Sequence, residues 1–163
     1  MKKQCLNIDN IHNDQLVGDP VDTLTGTVFE KKMEFRLIGP LEFKWIRRYD
    51  SSKNHRLFAL GWGHTHDYDR RLYFDADGIS YEEPLGKRYG FPPLFKNGAI
   101  HQAHGYTLER VSPTCFRLHK HALPSMEFNI RQANSVARLS RLYKDENQIL
   151  FFYDVSQRLV RIV

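Results

Sequence analysis

The sequence predicts an all-β fold: an antiparallel meander of β-hairpins forming an open sheet or part of a β-shell or barrel, with little or no helix. Three observations carry this. Phe and Tyr raise the aromatic content to 13%, and such rings suit half-buried pleated surfaces. Apolar and polar residues alternate with period two through much of the chain, a pattern that a helix would scatter around its circumference. Clusters of Gly, Pro, Asn and Asp interrupt the alternation at short intervals, as hairpin turns do. At 163 residues, 41% apolar and 26% charged, the chain can bury one core and is too apolar to be disordered.

The elements follow in order. Residues 1–17 are polar and rich in Asn and Asp, a leader arm expected to be partly ordered at most. Met1-Lys2-Lys3 has no apolar stretch after it, so no signal peptide is expected, and no run of 18 apolar residues offers a membrane span. GDPVDTLTG, residues 18–26, is turn chemistry, punctuated by Gly18, Asp19-Pro20 and Gly26. Met33, Phe35 and Leu37 then alternate with charged residues. After Gly39-Pro40, so do Leu41, Phe43 and Trp45. Two adjacent antiparallel strands are expected, each with one apolar and one charged face. Strands over Tyr68–Phe74 and Ile79–Glu82 flank Asp75-Ala76-Asp77-Gly78, a tight turn in which Gly78 takes positive φ. Residues 83–98 carry so many Pro and Gly that a loop packed over a sheet end is expected. From residue 106, YTLERV, TCFRLHKH, MEFNI, VARLSRLY, QILFFYD and RLVRIV read as short strands, with residues 126–139 the nearest approach to an amphipathic helix.

Two internal echoes appear. RLSRL (Arg138–Leu142) returns as RLVRI (Arg158–Ile162) twenty residues later, and LYFDADGI (Leu72–Ile79) is echoed by LYKDENQI (Leu142–Ile149). The unit is a strand, a polar turn, a return strand and an aromatic-acid pair. One such hairpin cannot bury its apolar face, so copies must stack. The terminal strand, with its free edge, is expected to continue into further repeats or to pair with another strand.

No chemistry-bearing constellation emerges. The net charge is +5, but Lys and Arg are interspersed with Asp and Glu, which describes a solvated face better than a nucleic-acid footprint. Cys5 and Cys115 are far apart and without metal spacing, and Cys115 is expected to be a core thiol. In GHTHDYD, His64 and His66 would share one strand face, with Asp67 and Asp69 on the other, half a zinc site at most. His101, His104, His119 and His121 are expected on exposed strands and loops. No nucleophile–base pair, paired carboxylates on one face or phosphate loop is present, so no catalytic residue, cofactor or metal ligand is assigned. Trp45, Trp62, Tyr49 and Tyr68 could stack on sugar rings, although Trp45, in phase with Leu41 and Phe43, reads first as sheet core.

Tyr153-Asp154 followed by Arg158-Leu159 resembles the YD repeat, with Gln157 standing where that pattern has Gly. Upstream, GDPVDTLTG, LIGPLEFKWIRRYDSS and LGWGHTHDYDRRL occur in the order of the block that opens the repeat region of Rhs (rearrangement hotspot) proteins. The residues carrying the resemblance are Gly18, Asp19, Pro20, Gly26, Gly39, Pro40, Trp45, Arg47, Tyr49, Gly61 and Trp62, then Tyr153, Asp154, Arg158 and Leu159.

This resemblance implies an opening or cap block over residues 18–130 and the start of a YD-repeat region over 131–163, together one structural unit. It implies a non-enzymatic module of a bacterial polymorphic toxin whose repeats wind into a shell around a toxin, linked to type VI secretion and interbacterial competition. The expected partners are other shell segments or toxin cargo, with self-association through the terminal edge strand. The expected location is the bacterial cytoplasm before export, without a signal peptide. Two other readings stay open: a module binding carbohydrate or a surface polymer, and an adaptor that docks on a larger Rhs shell.

Overall fold

Period-two alternation leaves most of the longer strands with one apolar face, and the chain buries most of these faces in two antiparallel sheets. The structure, a computed structural model, describes residues 21–130 and 136–163. The first sheet holds β1 (Phe29–Leu37), β2 (Phe43–Asp50), β3 (Leu57–Phe58), β4 (Gly61–Trp62) and β5 (His64–His66), in the order β1-β2-β5-β4-β3. The second holds ten strands: β6 (Arg71–Phe74), β7 (Ile79–Glu82), β8 (Arg88–Phe91), β9 (Ile100–Ala103), β10 (Tyr106–Arg110), β11 (Cys115–Lys120), β12 (Ser125–Asn129), β13 (Val136–Lys144), β14 (Asn147–Tyr153) and β15 (Leu159–Ile162).

Eight strands of the second sheet, in the order β8-β7-β6-β13-β12-β11-β10-β9, curl into a nearly closed barrel. Its end strands meet through side chains. The Phe91 ring lies 6.4 Å from that of His101, and Tyr89 lies 5.3 Å from Tyr106. The carboxylate of Glu83 accepts hydrogen bonds from Tyr106 Oη at 2.6 Å and Tyr89 Oη at 3.2 Å, which ties β8 to β10 across the seam. Leu72, Leu108, Leu118, Phe128 and Leu139, one from each of five strands, are wholly buried inside.

β13 makes the fold a fork. On one edge Arg138–Tyr143 pair with β12. On the other, Val136–Arg138 pair with β6, whereas Arg141–Lys144 pair with β14. β14 and β15 therefore leave the barrel as a two-stranded arm. Phe151 on β14 is buried, and its ring meets Tyr68 at 5.0 Å, so the arm packs against the segment that follows β5. The echoed sequences are the two hairpins β6–β7 and β13–β14, and the RLSRL and RLVRI copies are β13 and β15, which flank β14.

Several expectations are corrected. The run Met33, Phe35, Leu37 does not share one face. A bulge between Met33 and Phe35 places Met33 opposite Ile46 but Phe35 and Leu37 opposite Trp45 and Phe43, and the whole of β1 after Phe29 is exposed. The strand expected from Tyr68 begins only at Arg71, because Asp69 N–H bonds His66 O and Arg70 N–H bonds Tyr68 O in a turn. The loop expected over 83–98 contains β8, recruited by its register on β7, with Tyr89 opposite Tyr81. Residues 126–139 contribute to two strands, β12 and β13. Cys115 is half-buried rather than a core thiol, since its neighbour Phe116 takes the inward position.

The turn at 75–78 forms as expected, and Gly78 is required there twice. Its φ is 154°, and a Cβ would collide with the carbonyl oxygen of Phe91. Asp75 carries the bend by accepting from the Asp77 and Gly78 amides.

Candidate functional site

The chemistry of this chain concentrates where the first sheet, the barrel and the arm meet. After β5 the chain turns, and the turn aims Asp69 inward. Only 5% exposed, its carboxylate accepts from Arg71 Nη2 at 2.9 and 3.0 Å, Arg71 Nε at 3.0 Å, Thr65 Oγ1 at 3.0 Å, Arg138 Nη1 at 3.3 Å and Ala59 N–H at 3.3 Å. These donors come from the first sheet and its loops, from β6 and from β13. Burial alone would raise the Asp69 carboxyl, but the charge and hydrogen bonds of Arg71 outweigh it and hold the group below the usual carboxylate range.

A second buried carboxylate, Glu82 on β7, repeats the arrangement. It accepts from Arg56 Nη2 at 2.7 and 2.8 Å, Arg88 Nε at 2.7 Å and Tyr73 Oη at 3.1 Å. Arg71 Nη1 reaches Tyr73 Oη at 3.4 Å and links the two centres. The result is a polar layer between the first sheet and the outer wall of the barrel, in which each buried charge has a partner of opposite sign.

Sequence reasoning missed both centres. The Asp69 partners Thr65, Arg71 and Arg138 and the Glu82 partners Arg56 and Arg88 are brought together by topology. The one local signal was Asp69 within two residues of Arg71.

The aromatic side of the junction is a ladder. Tyr68 stacks on Phe43 at 4.9 Å and meets Phe151 at 5.0 Å. Trp45 stacks on His66 at 4.5 Å and on Phe35 at 6.3 Å. His66, 2% exposed, accepts the Tyr68 N–H at Nδ1 over 3.2 Å. His64 instead stacks on Tyr49 at 4.4 Å. Asp67 is held by Arg48, so the alternation assumed for His64 to Asp69 stops at His66. Among the described residues, no group of three or more His, Cys, Asp or Glu side chains is placed to hold a metal ion.

The other residues singled out by sequence fall as follows. Gly18, Asp19 and Pro20 lie outside the described residues. Gly26, at φ 69°, closes a turn in which its N–H bonds Asp22 O at 2.7 Å. Gly39 and Pro40 sit in the exposed link from β1 to β2. Arg47 bonds Glu34 at 3.1 Å and Glu30 at 3.2 Å. Gly61, at φ 123°, precedes Trp62, which is 59% exposed opposite Leu57. Trp45 is half-buried in the ladder, so the two tryptophans are separated in role.

The Tyr153–Leu159 segment is the turn between β14 and β15. Asp154 N–H bonds Arg158 O at 2.9 Å, and Gln157 N–H bonds Asp154 O at 3.0 Å. The Asp154 carboxylate accepts from Arg158 N–H and Arg158 Nε, each at 2.8 Å. Gln157 adopts φ 62°, the left-handed conformation that glycine takes without strain, so the turn keeps the geometry a glycine would give it. Tyr153 faces back to the barrel. Its hydroxyl donates to Leu139 O at 2.9 Å, and its ring lies 5.5 Å from the guanidinium of Arg138, the same residue that reaches Asp69. Leu159 pairs opposite Tyr153 and packs on the core. Asp69, Arg138 and Tyr153 thus connect the early block to the repeated hairpin.

Residues 18–91 match a sequence family described as a domain of unknown function (DUF6531). That match spans β1 to β8 and includes Asp69 and Glu82. No curated protein matches the chain. No helix among the described residues is long and apolar enough to cross a membrane.

Proposed function

We propose that this chain is a non-enzymatic structural module, the opening segment of an Rhs-type YD-repeat shell of the kind that encloses a toxin. The observation that carries the reading is the forked sheet. A YD-like hairpin is docked on the block through Asp69, Arg138 and Tyr153, and β15 pairs only with β14 among the described strands. Such an edge accepts another strand of the same kind. The domain matched over residues 18–91 is found in Rhs and YD-repeat proteins, which supports the same reading. Export by a type VI system and interbacterial competition belong to this proposal.

The test is co-expression with a separate segment of YD-repeat shell. The two should co-purify, and the melting temperature of the chain should rise with partner concentration. Failure to associate at any concentration would count against the module. A second reading, binding of carbohydrate or a surface polymer, rests on Trp62, whose ring is exposed beside Leu57. Quenching or enhancement of Trp62 emission by a glycan would favour it.

A further inference from the structure

We propose that His66 makes the joint between the five-stranded sheet and the β14–β15 arm acid-labile: protonating its buried ring opens the contact of β2 and β5 on the arm while the barrel stays folded. The geometry is specific. A ring that accepts the Tyr68 N–H at Nδ1 carries its own hydrogen on Nε2, so an incoming proton has only Nδ1 to occupy. Protonation therefore turns the acceptor into a donor that faces another donor at 3.2 Å. The Tyr68 amide loses its partner in a site without solvent, and Tyr68 is the residue whose ring joins Phe43 of β2 to Phe151 of the arm.

The charges around the ring do not rescue the cation. From β2 it faces Trp45, and Arg47 is its pairing partner. From the turn it faces Asp67, Tyr68 and Asp69, from β6 Arg71, and from β13 Arg138. Both carboxylates are already committed, Asp67 to Arg48 and Asp69 to Arg71 and Arg138. Stacking on Trp45 would favour an imidazolium. Burial works against it more strongly, and against the pull of Asp69 and Asp67 it keeps the ring neutral down to about pH 4. The sign follows from linkage. The open state, with an ordinary imidazole near 6.5, binds more protons than the closed state, so the joint is fully stable above pH 6.5 and weakens as pH falls toward 4.

The device is separable from the barrel because its partners are. His66, Trp45 and Phe43 belong to the first sheet, which shares no strand pairing with the second, whereas the barrel strands pair with one another and close through the Glu83 bonds across the seam. The test follows Trp45 emission in a Trp62→Phe background from pH 7 to 4, alongside the far-ultraviolet signal of the sheets. The open fraction should rise by up to about tenfold per pH unit between 6.5 and 4 while the sheet signal persists. His66→Asn keeps an acceptor for the Tyr68 amide but cannot take the proton, so its Trp45 emission should stay flat over that range. An unchanged profile in His66→Asn, or loss of Trp45 shielding and sheet signal in one transition, would overturn the proposal. If His66→Asn does not fold at pH 7, nuclear magnetic resonance titration of His66 in the Trp62→Phe chain decides. A depressed midpoint that coincides with Trp45 exposure supports the joint; an ordinary midpoint with Trp45 unmoved overturns it.

Discussion

Asp69 is held by donors from the first sheet, from β6 and from β13, so its removal strikes three elements together. Asp69→Asn keeps the size of the side chain and removes its charge, leaving Arg71 and Arg138 with an uncompensated excess of positive charge. Loss of one member of a buried pair costs about 3–5 kcal/mol, and chemical denaturation at pH 7 should find a loss on that scale. The pH dependence has a definite sign. The Asp69 carboxyl is lowered from 3.8, so its stabilisation is complete above that value and is lost as pH falls through the lower native one. The mutant and the unaltered chain should therefore converge only in strong acid. Gln157 gives the opposite case. Its φ of 62° strains a residue with a Cβ, so Gln157→Gly should raise stability by about 0.5–1 kcal/mol, measured as a shift of the urea midpoint without a change of slope.

Among the described elements, β1 and β15 are two of the sheet edges, and they are built differently. β1 carries Lys31, Lys32, Arg36 and a bulge, devices that discourage pairing with a foreign strand. β15 carries Arg161 as its one charge, with Val160 62% exposed. Association should therefore run through β15. Val160→Lys places a charge on that edge and should shift the chain toward monomer in analytical ultracentrifugation, with little effect on melting temperature. An unchanged distribution of species would show that association, if any, uses another surface. The same contrast explains what the sequence conveyed. Strands β10, β11, β12 and β14 were legible because each alternates between interior and surface, and β13 alternates up to its irregularity at Ser140. The β3 to β5 strands were not, because runs of two or three residues carry no period. β8 was hidden among Pro and Gly and is recruited by β7. The bulge at Met33/Phe35 leaves the hydrophobic pattern intact while changing which face it serves.

On the scale of the whole molecule, the fold class followed from composition and pattern, whereas the junction did not. Asp69, Glu82 and His66 are ordinary polar residues in sequence, and their importance comes from neighbours that topology supplies, such as Arg138 on a strand far along the chain. The Tyr153–Arg158 motif was legible because its hydrogen bonds are local. What local pattern could not show is that this hairpin forks from the barrel and presents β15 on its outer side. In the proposed function this edge receives a further strand of an Rhs-type shell. Amide hydrogen exchange across Arg158–Val163, with and without a separate YD-repeat segment, is the measurement that decides it. Protection of the outward-facing amides of β15 on adding the segment, with the barrel unchanged, is the predicted result. Exchange at β15 that stays the same while the segment binds elsewhere, or does not bind, would contradict it.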